Sequence, residues 1–125
     1  MGYKLKISPY VFPGLKDLEN FKSSKKIFIS KEEVLKIICE CMYVKKEDMV
    51  SKLKTTELVD ARHFFVAYFR KKTNCPLKEI GDFLGGRDHT TMIHSLNSFY
   101  DRCSNYPEYK QRADSIFKTL DSKIF

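Results

Sequence analysis

The sequence predicts an all-α domain built around a helix-turn-helix. Three observations lead there. From Ser30 onward, apolar residues recur at the three- and four-residue spacing of amphipathic helices. Helix-start residues stand where these patterns begin, Ser30 followed by Glu33 being the clearest case. Over residues 76–103 a short helical stretch, a Gly85-Gly86 pair and a longer helical stretch follow in turn, which is the order of a helix-turn-helix.

Residues 1–29 stand apart as an N-terminal arm. Pro9, Pro13 and Gly14 punctuate any helix there, and Tyr3, Tyr10, Phe12, Phe21 and Phe28 hold no lasting period. The arm reads as extended or partly disordered, with a weak strand signal at Lys4–Ser8. A helical domain over 30–125 follows. Ser30 and Glu33 form a capping box that satisfies two orphan amides, and Val34, Leu35, Ile38 and Met42 give the first apolar stripe. A short helix is expected near Glu47–Lys52 with Met49, Val50 and Leu53 inward, then a polar loop over Lys52–Thr56. A long helix over Glu57–Thr73, capped by Thr56, buries Leu58, Ala61, Phe65 and Tyr68, with Phe64 and Phe69 broadening the stripe. Asn74 to Pro76 break it.

A short helix then runs to Leu84, where Gly85-Gly86 supplies the positive φ that ends it and turns the chain. Gly81 allows the two helices of the motif to approach closely. Asp88 caps the second by accepting from the amide near Thr91. Met92, Ile93, Leu96, Phe99, Tyr100 and Cys103 make that helix's apolar face. A last helix opens near Pro107, a good first-turn residue, and runs toward Lys123.

Composition narrows the function classes. A chain of 125 residues, 42% hydrophobic, makes one domain with a real core. Ten Phe and seven Tyr are too many for a disordered tail. No apolar run approaches the ~20 residues that span a bilayer. A signal peptide is not visible, because Lys4, Lys6 and Pro9 interrupt the apolar residues from Tyr3 to Phe12. Lys6 also stands where a myristoylation site needs Ser or Thr. A cytoplasmic protein with no membrane partner is expected. Cys39, Cys41, Cys75 and Cys103 are scattered and read as reduced thiols. Cys39 and Cys41 fall about 200° apart on a helical wheel, facing opposite ways, so no metal site is expected.

The net charge of +7 suggests a polyanionic partner. It is uneven: residues 1–29 carry six Lys against two acids, 30–76 ten basic residues against seven acids, and 77–125 seven against seven.

The start of the second motif helix is where such a helix presents side chains to base edges. Arg87, His89, Thr90, His94 and Asn97 are polar there, and Thr90, His94 and Asn97 share one face. His89 can give or take a hydrogen bond, and the methyls of Thr90 and Thr91 can pack on the 5-methyl of thymine. Arg87 and the first helical amides suit a phosphate. Each has a plainer reading: Asp88 as a cap, His94 as a surface residue, the polar face as merely solvated. His89-Thr90-Thr91 directly after Gly85-Gly86-Arg87-Asp88 is less ordinary than any one of them.

The run Glu79-Ile80-Gly81-Asp82-Phe83-Leu84-Gly85-Gly86-Arg87-Asp88-His89-Thr90-Thr91 resembles the signature of the C-terminal DNA-binding domain of DnaA, the bacterial replication initiator. Tyr43-Val44-Lys45, Asp48, Ser51-Lys52 and Thr73-Asn74 extend the likeness, which covers roughly 31–122. The resemblance implies a Trp-repressor-like helical domain that binds short, asymmetric, A/T-rich duplex sites called DnaA boxes. It places Arg87, Asp88, His89, Thr90 and Thr91 where the family reads bases and grips the adjoining backbone. Arg70 falls at a basic phosphate contact on the long helix, and Leu77 and Lys78 where the first motif helix meets the backbone.

The sequence departs from the family after Ser51-Lys52. There the family's loop is rich in Arg, one of which enters the minor groove. Here Lys54 takes that position, and Glu57 and Asp60 add negative charge. A narrow A/T groove attracts Arg strongly, so weaker binding to a DnaA box is expected. No Gly-x-x-x-x-Gly-Lys-Ser/Thr phosphate loop occurs in the chain, so no ATPase module is expected. The leading expectation is a stand-alone, sequence-specific double-stranded DNA-binding protein that regulates replication or transcription. The alternative is a protein-interaction module that keeps the helical scaffold and binds a protein partner through residues 1–29. No nucleophile–base–orienter set is evident, so no catalytic residue and no cofactor are expected.

Overall fold

A computed structural model of the chain describes residues 29–124. The expectations for the arm, including the strand at Lys4–Ser8, lie outside the described residues except at Ile29, which packs on the core. Every element among the described residues is a helix: α1 Lys31–Met42, α2 Lys46–Met49, α3 Thr56–Lys72, α4 Leu77–Phe83, α5 His89–Asn105 and α6 Pro107–Ile124.

Helix α1 starts at Ser30, whose hydroxyl oxygen accepts from the Glu33 amide at 3.3 Å. The hydroxyl itself donates to Glu32 Oε1 at 3.2 Å. Val34, Leu35, Ile38 and Met42 are all buried. Tyr43 ends the helix at φ +58, and its amide bonds back to Cys39 O. A left-handed residue with a Cβ costs roughly 1–2 kcal/mol. The side chain escapes any further crowding because it is 94% exposed.

The next stretch corrects the sequence reading. Helix α2 is a single turn, and of its expected inward residues only Met49 is buried; Val50 and Leu53 are exposed. The cause is Arg62, a buried residue on α3. Its guanidinium donates to the carbonyls of Met49 at 2.8 Å, Leu53 at 2.7 Å, Asp48 at 2.7 Å and Ser51 at 3.1 Å. Backbone carbonyls converge on the charge, and the intervening apolar side chains turn outward. Helix α3 also begins one residue earlier than expected, because Thr55, not Thr56, accepts from the Leu58 amide.

Helix α3 is the central element. From Asp60 to Phe69 every residue is buried, because α1, α2, α4 and α5 all pack around it. Its aromatics lock neighbours in place. Phe65 stacks on Phe83 of α4 at 5.6 Å, Phe64 meets Phe99 of α5 edge-on at 6.1 Å, and Tyr68 meets Phe117 of α6 at 5.4 Å. The Tyr68 hydroxyl donates to Asp121 of α6 at 2.8 Å. Thr73 ends α3 with its hydroxyl bonded to Phe69 O at 2.7 Å.

Asp60 also corrects the reading that it adds charge to the loop. It is buried, and its carboxylate is paired with Arg102 of α5 at 2.9 Å. On α5, Met92 and Phe99 are buried and Leu96, Tyr100 and Cys103 half-buried, but Ile93 is 38% exposed and lies outside the core. All four cysteines are free thiols. Burial pushes Cys39, Cys75 and Cys103 up to about 11, so they stay protonated near neutral pH. No helix among the described residues is long and apolar enough to cross a membrane.

Candidate nucleic-acid interface

The turn between α4 and α5 sets the site. Gly85 and Gly86 hold φ +90 and +79, the left-handed geometry that a Cβ disfavours. The Gly86 amide bonds to Asp82 O at 3.2 Å and the Arg87 amide to Gly81 O at 2.8 Å. Gly81 is needed for close approach, because a Cβ there would collide with the Arg87 carbonyl oxygen and crowd Met92. A Cβ on Gly85 would collide with the Val50 carbonyl oxygen. The loop after α2 therefore lies directly against the turn of the motif.

Arg87 fastens that contact. Its guanidinium is half-buried and donates to Leu84 O and, at 2.7 Å, to Ser51 O. Burial lowers its pKa. Two of its N–H groups are thus already committed to carbonyls, so its first role is to join the turn to the 48–53 loop. Arg70 is similarly engaged: Nη1 donates to Cys75 O at 3.1 Å, bracing the link from α3 into α4.

Asp88 caps α5, as its sequence position predicts. Its carboxylate accepts from the Thr91 amide at 2.8 Å. Hydrogen bonds from the Thr91 hydroxyl and amide hold the carboxyl below the usual carboxylate range. Thr91 gives its amide to the cap, and His89, Thr90, Thr91 and His94 all stand exposed on the helix surface. The first turn of α5 presents imidazole, hydroxyl and methyl groups to solvent, with helix-start amides behind them.

The remaining expected residues lie on neighbouring elements. Lys54 is exposed and follows Leu53, whose carbonyl Arg62 holds. Leu77 is half-buried at the start of α4, packed on the core, and Lys78 is exposed beside it in a surface pair with Asp82 at 3.3 Å. The structure thus joins the 50–54 loop to the Gly turn and the α5 tip, whereas Leu77, Lys78 and Arg70 stand at the α3–α4 link. The residue that sequence reasoning missed is Arg62. Its signal was a lone charge entering the run Ala61–Phe69, which is otherwise nearly all apolar.

A short helix, a tight glycine turn and a second helix with an exposed polar start define a helix-turn-helix protein. The family model described as "Bacterial dnaA protein helix-turn-helix" matches residues 31–98. The chain belongs to that family, and its helical domain is a DnaA-type helix-turn-helix DNA-binding domain. It is 34% identical over 108 residues to the chromosomal replication initiator protein DnaA of Methylacidiphilum infernorum (isolate V4). It is also 34% identical over 96 residues to that of Thermodesulfovibrio yellowstonii. These alignments take in 86% and 77% of this chain but only 23% and 20% of the relatives' lengths.

Proposed function

We propose that this protein binds double-stranded DNA sequence-specifically, at sites like DnaA boxes, and acts by that binding in replication-origin recognition or in regulating replication or transcription. It is a binding protein and not an enzyme. One observation carries the reading: the exposed start of α5, where His89 and Thr90 face solvent on a helix fixed by the Asp88 cap and the Gly85-Gly86 turn. These groups match what a major-groove edge offers, with hydrogen-bond donors and acceptors for the imidazole and hydroxyl, and a thymine methyl for the Thr90 methyl. Arg70, Lys78, Arg87 and Lys54 are the basic groups this reading assigns to phosphate and minor groove.

The test is selection of bound duplexes from a random pool at near-physiological salt, followed by His89→Ala and Thr90→Ala. Each should cost ~1–3 kcal/mol of discrimination at one base pair, with non-specific binding nearly unchanged. Failure to enrich any sequence, or mutants that bind every duplex as wild type does, would remove α5 from the role of reader.

A further inference from the structure

We propose that Ile93 is a specificity-determining residue that reads a pyrimidine 5-methyl group in the major groove. This rests on the duplex-binding reading above and deepens it. Ile93 is one of five large apolar residues left exposed among the described residues, the others being Tyr43, Val50, Leu53 and Tyr106. Scattered exposed apolar residues need no explanation. The position of Ile93 is what separates it from the rest. It sits on α5 itself, three residues after Thr90 and four after His89, so it shares their face of the helix. Four residues of helix advance ~6 Å, which takes the side chain past the tip by one or two base-pair steps of ~3.4 Å. The other four exposed apolar residues all lie outside α5.

The side chain's chemistry then limits what it can read. Isoleucine neither gives nor takes a hydrogen bond, so it gains nothing from the N7, O6, O4 or amino groups of the groove edge. The apolar feature of that edge is the C5-methyl of thymine, and 5-methylcytosine carries the same group. Ile93 is β-branched and held in few rotamers on a helix, so it presents a rigid apolar surface at a fixed height above the turn. Met92 and Leu96 anchor the core side of the same helix, leaving Ile93 at the border between the core and the polar face.

The experiment uses the full chain and its best duplex from the random-pool selection. Each thymine is replaced in turn by deoxyuracil, which removes the methyl and keeps every hydrogen-bonding group. At one position, distinct from any that Thr90 senses, wild type should lose about fourfold in affinity, the worth of burying one methyl group. Ile93→Ala should bind thymine and uracil there equally, while Ile93→Val should keep the discrimination. With cytosine at that position, wild type should prefer 5-methylcytosine over cytosine by a similar factor, and Ile93→Ala should not. Unchanged thymine–uracil discrimination at every position in Ile93→Ala, or none in wild type, would overturn the assignment of Ile93 alone, since duplex selection would already have succeeded. A pool that enriches no sequence would overturn the duplex-binding reading and this assignment together.

Discussion

Arg62 and Arg87 donate to the same acceptor, the Ser51 carbonyl oxygen, at 3.1 Å and 2.7 Å. One arginine comes from the buried face of α3 and the other from the turn before α5. Their shared acceptor makes the 48–53 loop the piece that joins the core to the recognition tip. The two cations also repel: burial and then the charge of Arg87 lower the pKa of Arg62. Six hydrogen bonds to five carbonyls of the loop and turn offset that repulsion.

The loop should therefore depend on Arg62 for its place. Arg62→Met keeps length and apolar contact but removes four charge-assisted donations, leaving the Met49 and Leu53 carbonyls without that partner, while Ser51 O keeps Arg87 and Asp48 O keeps the Ser51 hydroxyl. The expected loss is about 2–4 kcal/mol, since bonds to a charged group are among the stronger ones and some acceptors stay buried. Arg62→Lys should not restore it, because a single ammonium cannot span the fork that reaches four carbonyls. Urea unfolding with an unchanged m-value checks both.

His63 gives the stability a dependence on pH. It is buried beside Arg62 in sequence, and its Nδ1 has no hydrogen-bond partner among the described residues. Burial, and then the charges of Arg102 and Arg62, push its pKa down from 6.5 to about 4. The folded protein holds it neutral, whereas the unfolded chain binds the proton near pH 6.5. Its contribution is therefore complete above pH 6.5, declines as pH falls, and is gone below about pH 4. A shift of that size corresponds to roughly 3 kcal/mol across the window. His63→Leu should remove one proton from the slope of unfolding free energy against pH between 4 and 6.5, as measured by denaturant titration at stepped pH.

Asp60 shows why a sequence reading of charge can mislead. In the linear sequence it follows the loop at Lys54 and reads as added negative charge there. In the fold it is turned inward to Arg102, 42 residues away. Burial raises its pKa against the pull of Arg102 and Arg112, so the pairing does not fully offset the cost of desolvation. Asp60→Arg should not tighten DNA binding. It places two like charges where one pair stood and should destabilise by roughly 2 kcal/mol, less than a fully buried pair because the Arg102 side chain is 38% exposed. Asp60→Asn should cost clearly less, and thermal unfolding of the two variants separates them.

The legible and illegible parts of this chain divide along the same line. The helices from Ser30 to Lys123 were readable because apolar spacing, caps and the Gly85-Gly86 pair are written in side chains. So was the tip, because Asp88, His89 and Thr90 owe their exposure to the local turn. The 48–53 loop was not readable. Its inward-facing groups are backbone carbonyls, which every residue carries, and nothing in Val50 or Leu53 says that an arginine nine or more residues away will claim the carbonyls around them. Ile93 was misplaced for a related reason. Its position on the wheel lies at the border of the apolar face, and only the packing of α3 and α6 against α5 decides where that border falls.

The clamped loop gives Lys54 a definite part to test. Leu53 is held by Arg62 at 2.7 Å, so Lys54 leaves the framework from a fixed point next to the motif turn, and it is exposed. A Lys there acts as a compact, strongly hydrated charge, whereas Arg is planar and sheds its water more readily. Narrow A/T-rich minor grooves favour Arg through their negative potential. Lys54→Arg should therefore tighten binding to A/T-rich duplexes while leaving the slope of log affinity against log salt unchanged, because the charge is the same. Lys54→Gln should flatten that slope by about one counterion and weaken binding on all sequences. Fluorescence anisotropy titrations over a series of salt concentrations, on one A/T-rich and one G/C-rich duplex, read both quantities. An Arg variant that gains equally on both duplexes would place residue 54 on phosphate and not in the groove. A Gln variant with an unaltered slope would take it off the DNA altogether.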